Sequence, residues 1–290
     1  MATIFDKDFF QKLGKINLAM NMRLDQGQSG QRKSTAKGSS VEFSDFREYI
    51  LGDDIRRIDW NAYGRLNKLF IKQFMEEKEA FYHIFLDSSA SMDYGAKKKS
   101  HMALQLAAVF VYLVQKQLDR VELFSFSDGN LMKSAPVTSR NSFGLFLNRL
   151  EELEFKGETG INKSIRSYNI HGKGVSIIIS DFLEPEGVAD AIKYLTYKKQ
   201  QIFLVQVLAR EEVEFDEEGA LSLQDMENGN RIRITVNRQV ISEYKKNLDR
   251  HTKELNRLAN KYNCAFIQVI SDENLENCIF KTMRQKGIFG

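Results

Sequence analysis

The chain of 290 residues has only two cysteines, Cys264 and Cys278, and they form no Cys-x-x-Cys pair. They read as buried or incidental thiols in a reducing compartment. The four histidines, at positions 83, 101, 171 and 251, show no ligand spacing. No charge of one sign dominates, with 42 basic against 39 acidic residues and a formal charge of +3. Such a balance leaves no overall nucleic-acid footprint. The first residues, Met1-Ala2-Thr3-Ile4-Phe5-Asp6-Lys7, lack the apolar core of a signal peptide. The longest apolar stretch, 103–114, is interrupted by Gln105 and is too short to span a bilayer. A soluble, cytoplasmic protein is therefore expected. No Gly-x-Ser-x-Gly elbow occurs either, so the sequence offers no hydrolase nucleophile of that type.

What is present is a globular chain, 42% hydrophobic, long enough for one large domain or two small ones. Helical spacing places Phe9, Phe10, Leu13 and Ile16 on one side of a helix over 4–22. Residues 25–40 are rich in Gly, Ser, Gln and Lys and read as a mobile loop. Strand pieces follow near Glu42-Phe43 and over 69–74. From residue 81 onward strands and helices alternate. Strands are expected at 81–86, 121–126, 175–179, 202–208 and 265–269. Helices are expected at 98–118, 142–153, 161–168, 188–197 and 240–262, with a last one from Glu273. The helix at 98–118 is apolar nearly all round and should be buried. Continuous apolar strands are typical of a parallel sheet covered on both faces. The Asn228-Gly229 pair between 221–225 and 231–236 signals a hairpin, and 131–135 can pair with 121–126. The expectation is an α/β, doubly wound, mostly parallel sheet over 78–290, with a hairpin inserted near 211–238. Residues 1–77 form an N-terminal helix/β extension packed on it.

The most informative run is Phe85-Leu86-Asp87-Ser88-Ser89-Ala90-Ser91-Met92. An apolar strand ends in Asp-x-Ser-x-Ser, which offers one carboxylate and two hydroxyls from a single loop. A hard divalent cation such as Mg²⁺ takes six oxygens and keeps some as water. In an open parallel sheet, ligands bind beyond the carboxyl ends of the strands. A second strand there ends in Ser180-Asp181, and the loop Gly157-Glu158-Thr159-Gly160 leads into the helix at Ile161. If these three loops share an edge, Asp87, Ser89, Ser91, Thr159 and Asp181 converge on one ion, and a partner's carboxylate can complete its shell. The bland alternative is that Asp87 caps the segment after it and the serines are turn residues.

This set resembles the metal-ion-dependent adhesion site of the von Willebrand factor A family. The family's threonine loop often reads Gly-Gly-Thr-Asp, whereas no aspartate follows Thr159 here. Upstream, Gly38-Ser39-Ser40-Val41-Glu42-Phe43-Ser44-Asp45-Phe46-Arg47-Glu48-Tyr49 is followed by Gly52-Asp53-Asp54-Ile55-Arg56-Arg57-Ile58-Asp59-Trp60. With Ser180-Asp181-Phe182, these runs resemble the bacterial family called domain of unknown function 58, over about 28–270. That resemblance implies a von Willebrand factor A-like fold. It also implies a chaperone-like partnership with a MoxR-type hexameric ATPase, because members are commonly encoded beside one. One departure is Ala62-Tyr63-Gly64-Arg65, where the family has a small residue, Ala and Arg.

The signature residues Arg47, Asp53, Asp54, Arg56, Arg57, Asp59 and Trp60 suit an ion-pair and stacking network, since guanidinium pairs with carboxylate and stacks on rings. Such a network would pin the N-terminal segment to the main domain or form a partner surface. Lys97, Lys98 and Lys99 lie near a helix start, where cations oppose the dipole, and could steer an acidic partner. The segment Gly157 to Ser164 mimics a phosphate-binding loop, but Asn162 stands where that loop needs glycine. The resulting expectation is a metal-dependent protein-interaction module holding Mg²⁺, Mn²⁺ or Ca²⁺, with no catalytic residues. Two alternatives are a metal-assisted phosphoester hydrolase and a scaffold with a vestigial, metal-free site.

Overall fold

A computed structural model describes residues 4–25, 41–76, 81–117, 119–134, 137, 140–184 and 187–284. The loop expected at 25–40 lies, beyond Asp25, outside the described residues. In chain order the elements are α1 (Lys7–Asp25), β1 (Val41–Glu48), α2 (Trp60–Leu66), β2 (Phe70–Glu76), β3 (Phe81–Asp87), α3 (Lys99–Lys116) and β4 (Arg120–Ser127). There follow β5 (Asn130–Lys133), α4 (Arg140–Glu151), α5 (Ile161–Ser167), β6 (Gly174–Ser180), α6 (Val188–Tyr197), β7 (Gln200–Leu208) and α7 (Arg210–Val213). The chain then forms β8 (Gly219–Gln224), β9 (Arg231–Val236), α8 (Arg238–Lys261), β10 (Ala265–Ile270) and α9 (Leu275–Arg284).

The central sheet has the order β10-β7-β6-β3-β4-β5. Every pairing in it is parallel except β4 with β5, a hairpin edge. Alternation along each strand sends residues to two separate cores. Ile84, Leu86, Ile177, Ile179, Phe203, Val205 and Val207 join one core, together with the buried residues of α3, α4 and α9. Phe85, Ile178, Ile202 and Leu204 join the other, with Ile161 and Ile165 of α5, Ile192 and Leu195 of α6, and Leu255 and Ala259 of α8. Both faces are thus covered, which is why these strands read as unbroken apolar runs. The fold is α/β and doubly wound around a mostly parallel sheet.

From β3 the chain goes first to β4 on one side and then to β6 on the other. The strand order therefore reverses between β3 and β6, and open sheets of this kind bind ligands beyond the carboxyl ends at such a point. Register pairs Leu86 with Ile179, so Asp87 and Ser180 follow side by side at that edge.

The chain divides into two compact units. One is Met1–Met20 with Ala80–Gly290, and the other is Asn21–Glu79. The first helix packs on the main unit: Phe5, Phe9, Leu13 and Ile16 are buried in the first core. In the second unit β1 and β2 pair antiparallel, with an irregularity between Phe43 and Asp45. Asp54 caps a 3-10 turn over Ile55–Arg57, and Asp59 caps α2 by accepting from Asn61 N (2.9 Å) and Ala62 N (3.1 Å).

The hairpin expected between 221–225 and 231–236 is present as β8 and β9. The short helices α2 and α7 were not expected. Their seven and four residues are too few for a hydrophobic period to emerge.

Candidate functional site

Asp87 closes β3 and is fully buried. Its Oδ1 accepts from Ser89 N (2.9 Å) and its Oδ2 from Ser180 Oγ (2.6 Å). The first bond bends the chain into the serine loop. The second ties the ends of β3 and β6 together across the switch point. Ser180 Oγ in turn accepts from Phe182 N (3.0 Å). Phe182 is buried and sits at φ 53°, a left-handed conformation unusual for a bulky residue. Besides the Ser180 bond, His251 Nε2 holds it at 2.7 Å from its carbonyl oxygen, an atom that can only accept. Strain of this kind persists where the surroundings over-determine it, and here it shapes the turn that carries Asp181.

The hydroxyls gather beside Asp87. Ser89 Oγ lies 3.1 Å from Ser91 Oγ and 3.3 Å from Thr159 Oγ1. Thr159 is buried, although 70 residues separate it from Ser89 in the chain. Its loop is docked by backbone bonds: Ala90 N donates to the Gly157 carbonyl (3.0 Å) and Lys156 N to the Ser88 carbonyl (2.9 Å). Gly157 has φ 78°, and a Cβ there would fall 2.2–2.4 Å from the Asp128 carboxylate. Asp128 Oδ1 accepts from Glu158 N (2.7 Å). A glycine before Glu158-Thr159 is thus a steric requirement, not only a turn preference.

Asp181 is equally buried. Its Oδ1 accepts from Leu183 N (3.1 Å) and its Oδ2 from Lys99 Nζ (2.7 Å). Lys99 Nζ also donates to Glu212 Oε1 (2.7 Å) on α7. Burial alone would lower the Lys99 ammonium, but Asp181 and Glu212 more than offset it and hold it above its ordinary value. Burial, and then the charge of Asp181, push Asp87 up to about 7 against the hydrogen bonds from Ser180 and Ser89. Burial raises Glu184 too, with nearby Glu227 and Glu158 acting in the same direction.

The five expected site residues therefore come together at one edge. Among the described residues, no group of three or more His, Cys, Asp and Glu side chains is arranged to hold a metal. The set is instead two carboxylates with three hydroxyls. Each engaged carboxylate oxygen keeps a second acceptor position, and an all-oxygen set beside mutually repelling carboxylates suits a hard divalent cation. Asp87, Ser89, Ser91, Thr159 and Asp181 are the residues that could hold one.

The three lysines do not act as one group. Lys97 and Lys98 are exposed, and Lys98 pairs with Asp93 (2.8 Å). Lys99 is buried and serves the site from within, which corrects the reading of all three as a steering patch. The signal was available: Lys99 is in helical register with Ala103, Leu106 and Phe110, all buried. Residues not assigned a role from sequence are Ser180, Glu212 and Glu227. Glu227, in the β8–β9 turn, accepts from Thr159 Oγ1 at 2.9 Å. Nothing local in a hairpin turn signals a contact 68 residues away.

The signature network is present only in part. Arg47 Nη2 donates to both oxygens of Asp53 (2.8 and 2.9 Å). Asp53 Oδ2 also accepts from Ile50 N (3.0 Å), and Arg47 lowers the Asp53 carboxyl. Asp54 and Asp59 act as caps. Arg56 is exposed, and the Arg57 side chain lies outside what the structure describes. Trp60 is 65% exposed and meets Tyr63 edge-on at 6.2 Å.

Comparison with known proteins follows these lines. Among solved structures, the conserved hypothetical protein BatB from Bacteroides thetaiotaomicron is similar with a TM-score of 0.44 and 22% identity, over 70% of this chain and 97% of that one. The VWA domain of SpRpn10 is similar with a TM-score of 0.40 and 10% identity, over 71% and 95%. An uncharacterised protein of Mycobacterium tuberculosis strain H37Rv is 25% identical over 234 residues, covering 78% of this chain and 73% of that protein. Among the described residues, no helix is long and apolar enough to cross a membrane. The family described as "Protein of unknown function DUF58" matches residues 45–254, from the signature segment through the sheet into α8, and the chain belongs to that family.

Proposed function

We propose that the chain is a metal-dependent protein-interaction module that docks an acidic side chain of its partner, and that it is not an enzyme. The observation that carries this reading is the convergence of the Ser91 and Thr159 hydroxyls on Ser89 Oγ, at 3.1 and 3.3 Å, beside buried Asp87. A divalent ion held there would supply a short-range positive charge with room for a carboxylate oxygen. The chain's own groups prepare that role. Ser180 and Ser89 N fix the Asp87 carboxylate, and Lys99 fixes Asp181. The backbone bonds of Gly157 and Ser88 set the height of the Thr159 loop. Against a hydrolase, the described partners of the Ser89 side chain are the Ser91 and Thr159 hydroxyls and the Asp87 carboxylate, and none of them is a histidine. In line with the family resemblance, the partner is taken to be a MoxR-type hexameric ATPase and the pair chaperone-like, in the cytoplasm.

Titration calorimetry with Mg²⁺ and Mn²⁺ tests the site. One ion per chain is expected for the wild type, and none for Asp87→Ala. Equal binding by both proteins would remove the assignment.

A further inference from the structure

The turn between β8 and β9 ends in a carboxylate that reaches the candidate site. Glu227 Oε1 accepts from Thr159 Oγ1 at 2.9 Å, and Thr159 is itself 3.3 Å from Ser89 Oγ. The turn is built to hold that pose. Asp225 Oδ1 accepts from Glu227 N (2.9 Å), and Asp225 Oδ2 accepts from Asn228 Nδ2 (2.6 Å). Asp225 N donates to the Asn230 carbonyl (2.8 Å) and Gly229 N to the Asp225 carbonyl (2.9 Å). By contrast, the strands behind the turn bury little. Of their residues only Val236 is buried, Leu221 and Ile234 are partly buried, and the rest are exposed. A rigid tip on a lightly packed arm is an arrangement that can leave its seat without unfolding the sheet.

The charges sharpen the point. Glu227 adds to the repulsion felt by Glu184, and through Thr159 it adjoins the serine loop that follows Asp87. The one buried ammonium described there, Lys99, is engaged by Asp181 and Glu212. The Thr159 hydroxyl holds this further carboxylate in place, and a cation at the neighbouring oxygens would hold it more firmly.

We infer that the β8–β9 tip is an internal ligand of this site: Glu227 takes the position of the partner's acidic side chain, and the partner docks by displacing it. The inference rests on the metal-site reading above. It makes the hairpin a competitor that sets the threshold for docking, because a partner gains only the difference between its own contact and that of Glu227. It also states what kind of partner fits, namely one that presents a carboxylate from a tight, pre-ordered turn.

The test uses the full chain with Mn²⁺ alone as the probe, followed by acetate. Bound Mn²⁺ speeds the relaxation of water protons in proportion to the exchangeable waters it keeps. The relaxation per bound ion should be higher in Glu227→Ala than in the wild type. Acetate should then lower it in the variant and leave the wild type unchanged. Glu227→Gln, which keeps the shape of the turn without its charge, should follow Glu227→Ala. Bound Mn²⁺ with the same relaxation and the same acetate response in all three proteins would overturn the inference while the metal site stands. Absence of Mn²⁺ binding in all three would remove the metal site itself, and this inference with it.

Discussion

Lys99 is buried between two carboxylates, while its neighbours Lys97 and Lys98 face solvent. Removing one partner of a buried ion pair leaves an uncompensated charge, at a typical cost of about 3–5 kcal/mol. Lys99→Met is therefore expected to lower the urea midpoint strongly, and adding Glu212→Gln should restore part of the loss. Lys97→Ala and Lys98→Ala should each cost less than about 0.5 kcal/mol, since exposed pairs are screened. Similar losses for all three lysines would contradict the buried bridge. His83 shows the opposite case, a buried group kept neutral. It stacks near Phe81 (5.1 Å), Phe85 and Phe124 (both 6.4 Å), and its Nδ1 has no hydrogen-bond partner among the described residues. Burial lowers its pKa below 6.5, with Lys133 acting the same way and Glu122 and Gln200 against. The unfolded chain takes up that proton near 6.5 and the folded one does not. Stability from this group is therefore complete above that pH and falls as pH drops below it. In His83→Phe, the fall in denaturation midpoint between pH 7 and 5.5 should be shallower than in the wild type, and identical slopes would refute the assignment.

At the scale of elements, the parallel sheet was legible because burial on both faces demands long β-branched runs, and Ile177-Ile178-Ile179 or Ile202 to Leu208 can hardly do anything else. The positions of Asp87 and Asp181 at one edge of the sheet were legible because each ends such a run. Partnerships made across the fold were not. The detail of α1 is an example: the helix was expected on the main domain, but the stripe marked by Phe9 and Ile16 does not say which core residues it meets. The structure buries Phe9 at 1% exposure, edge-on to Phe5 (5.0 Å), in the core that contains α3. Phe9→Ala should then destabilise the main unit by about 3–5 kcal/mol, as large-to-small core changes do. Phe10→Ala, at a site 49% exposed on the same helix, should cost far less. Chemical denaturation of the two variants decides, and equal effects would mean that α1 does not contribute to that core. In the signature segment, the contacts of each aromatic were likewise not legible from spacing. Among the described residues of that segment, Trp60 is 65% and Phe46 44% exposed, while Ile58 and Ile71 are buried.

For the whole molecule, the proposed docking combines interactions with different ranges. Coordination of a carboxylate by a held ion acts only at contact, and salt hardly screens it. The formal charge of +3 and the exposed Lys97 and Lys98 act at a distance, and their influence fades beyond a Debye length of about 8 Å at physiological ionic strength. Capture of a MoxR-type ATPase, the partner proposed above, should accordingly show two separable dependences. EDTA or Asp87→Ala should abolish capture at every salt concentration. Neutralising Lys97 and Lys98 together should slow association and flatten its salt dependence, while leaving dissociation nearly unchanged. Lys99 is left out of that variant because its charge is spent inside the site. If EDTA leaves capture intact while the lysine variant weakens it, docking is electrostatic and the buried oxygens serve only to join β3 to β6. If the ATPase is not captured under any condition by the wild type or by Glu227→Ala, the partner assignment fails even where Mn²⁺ binds.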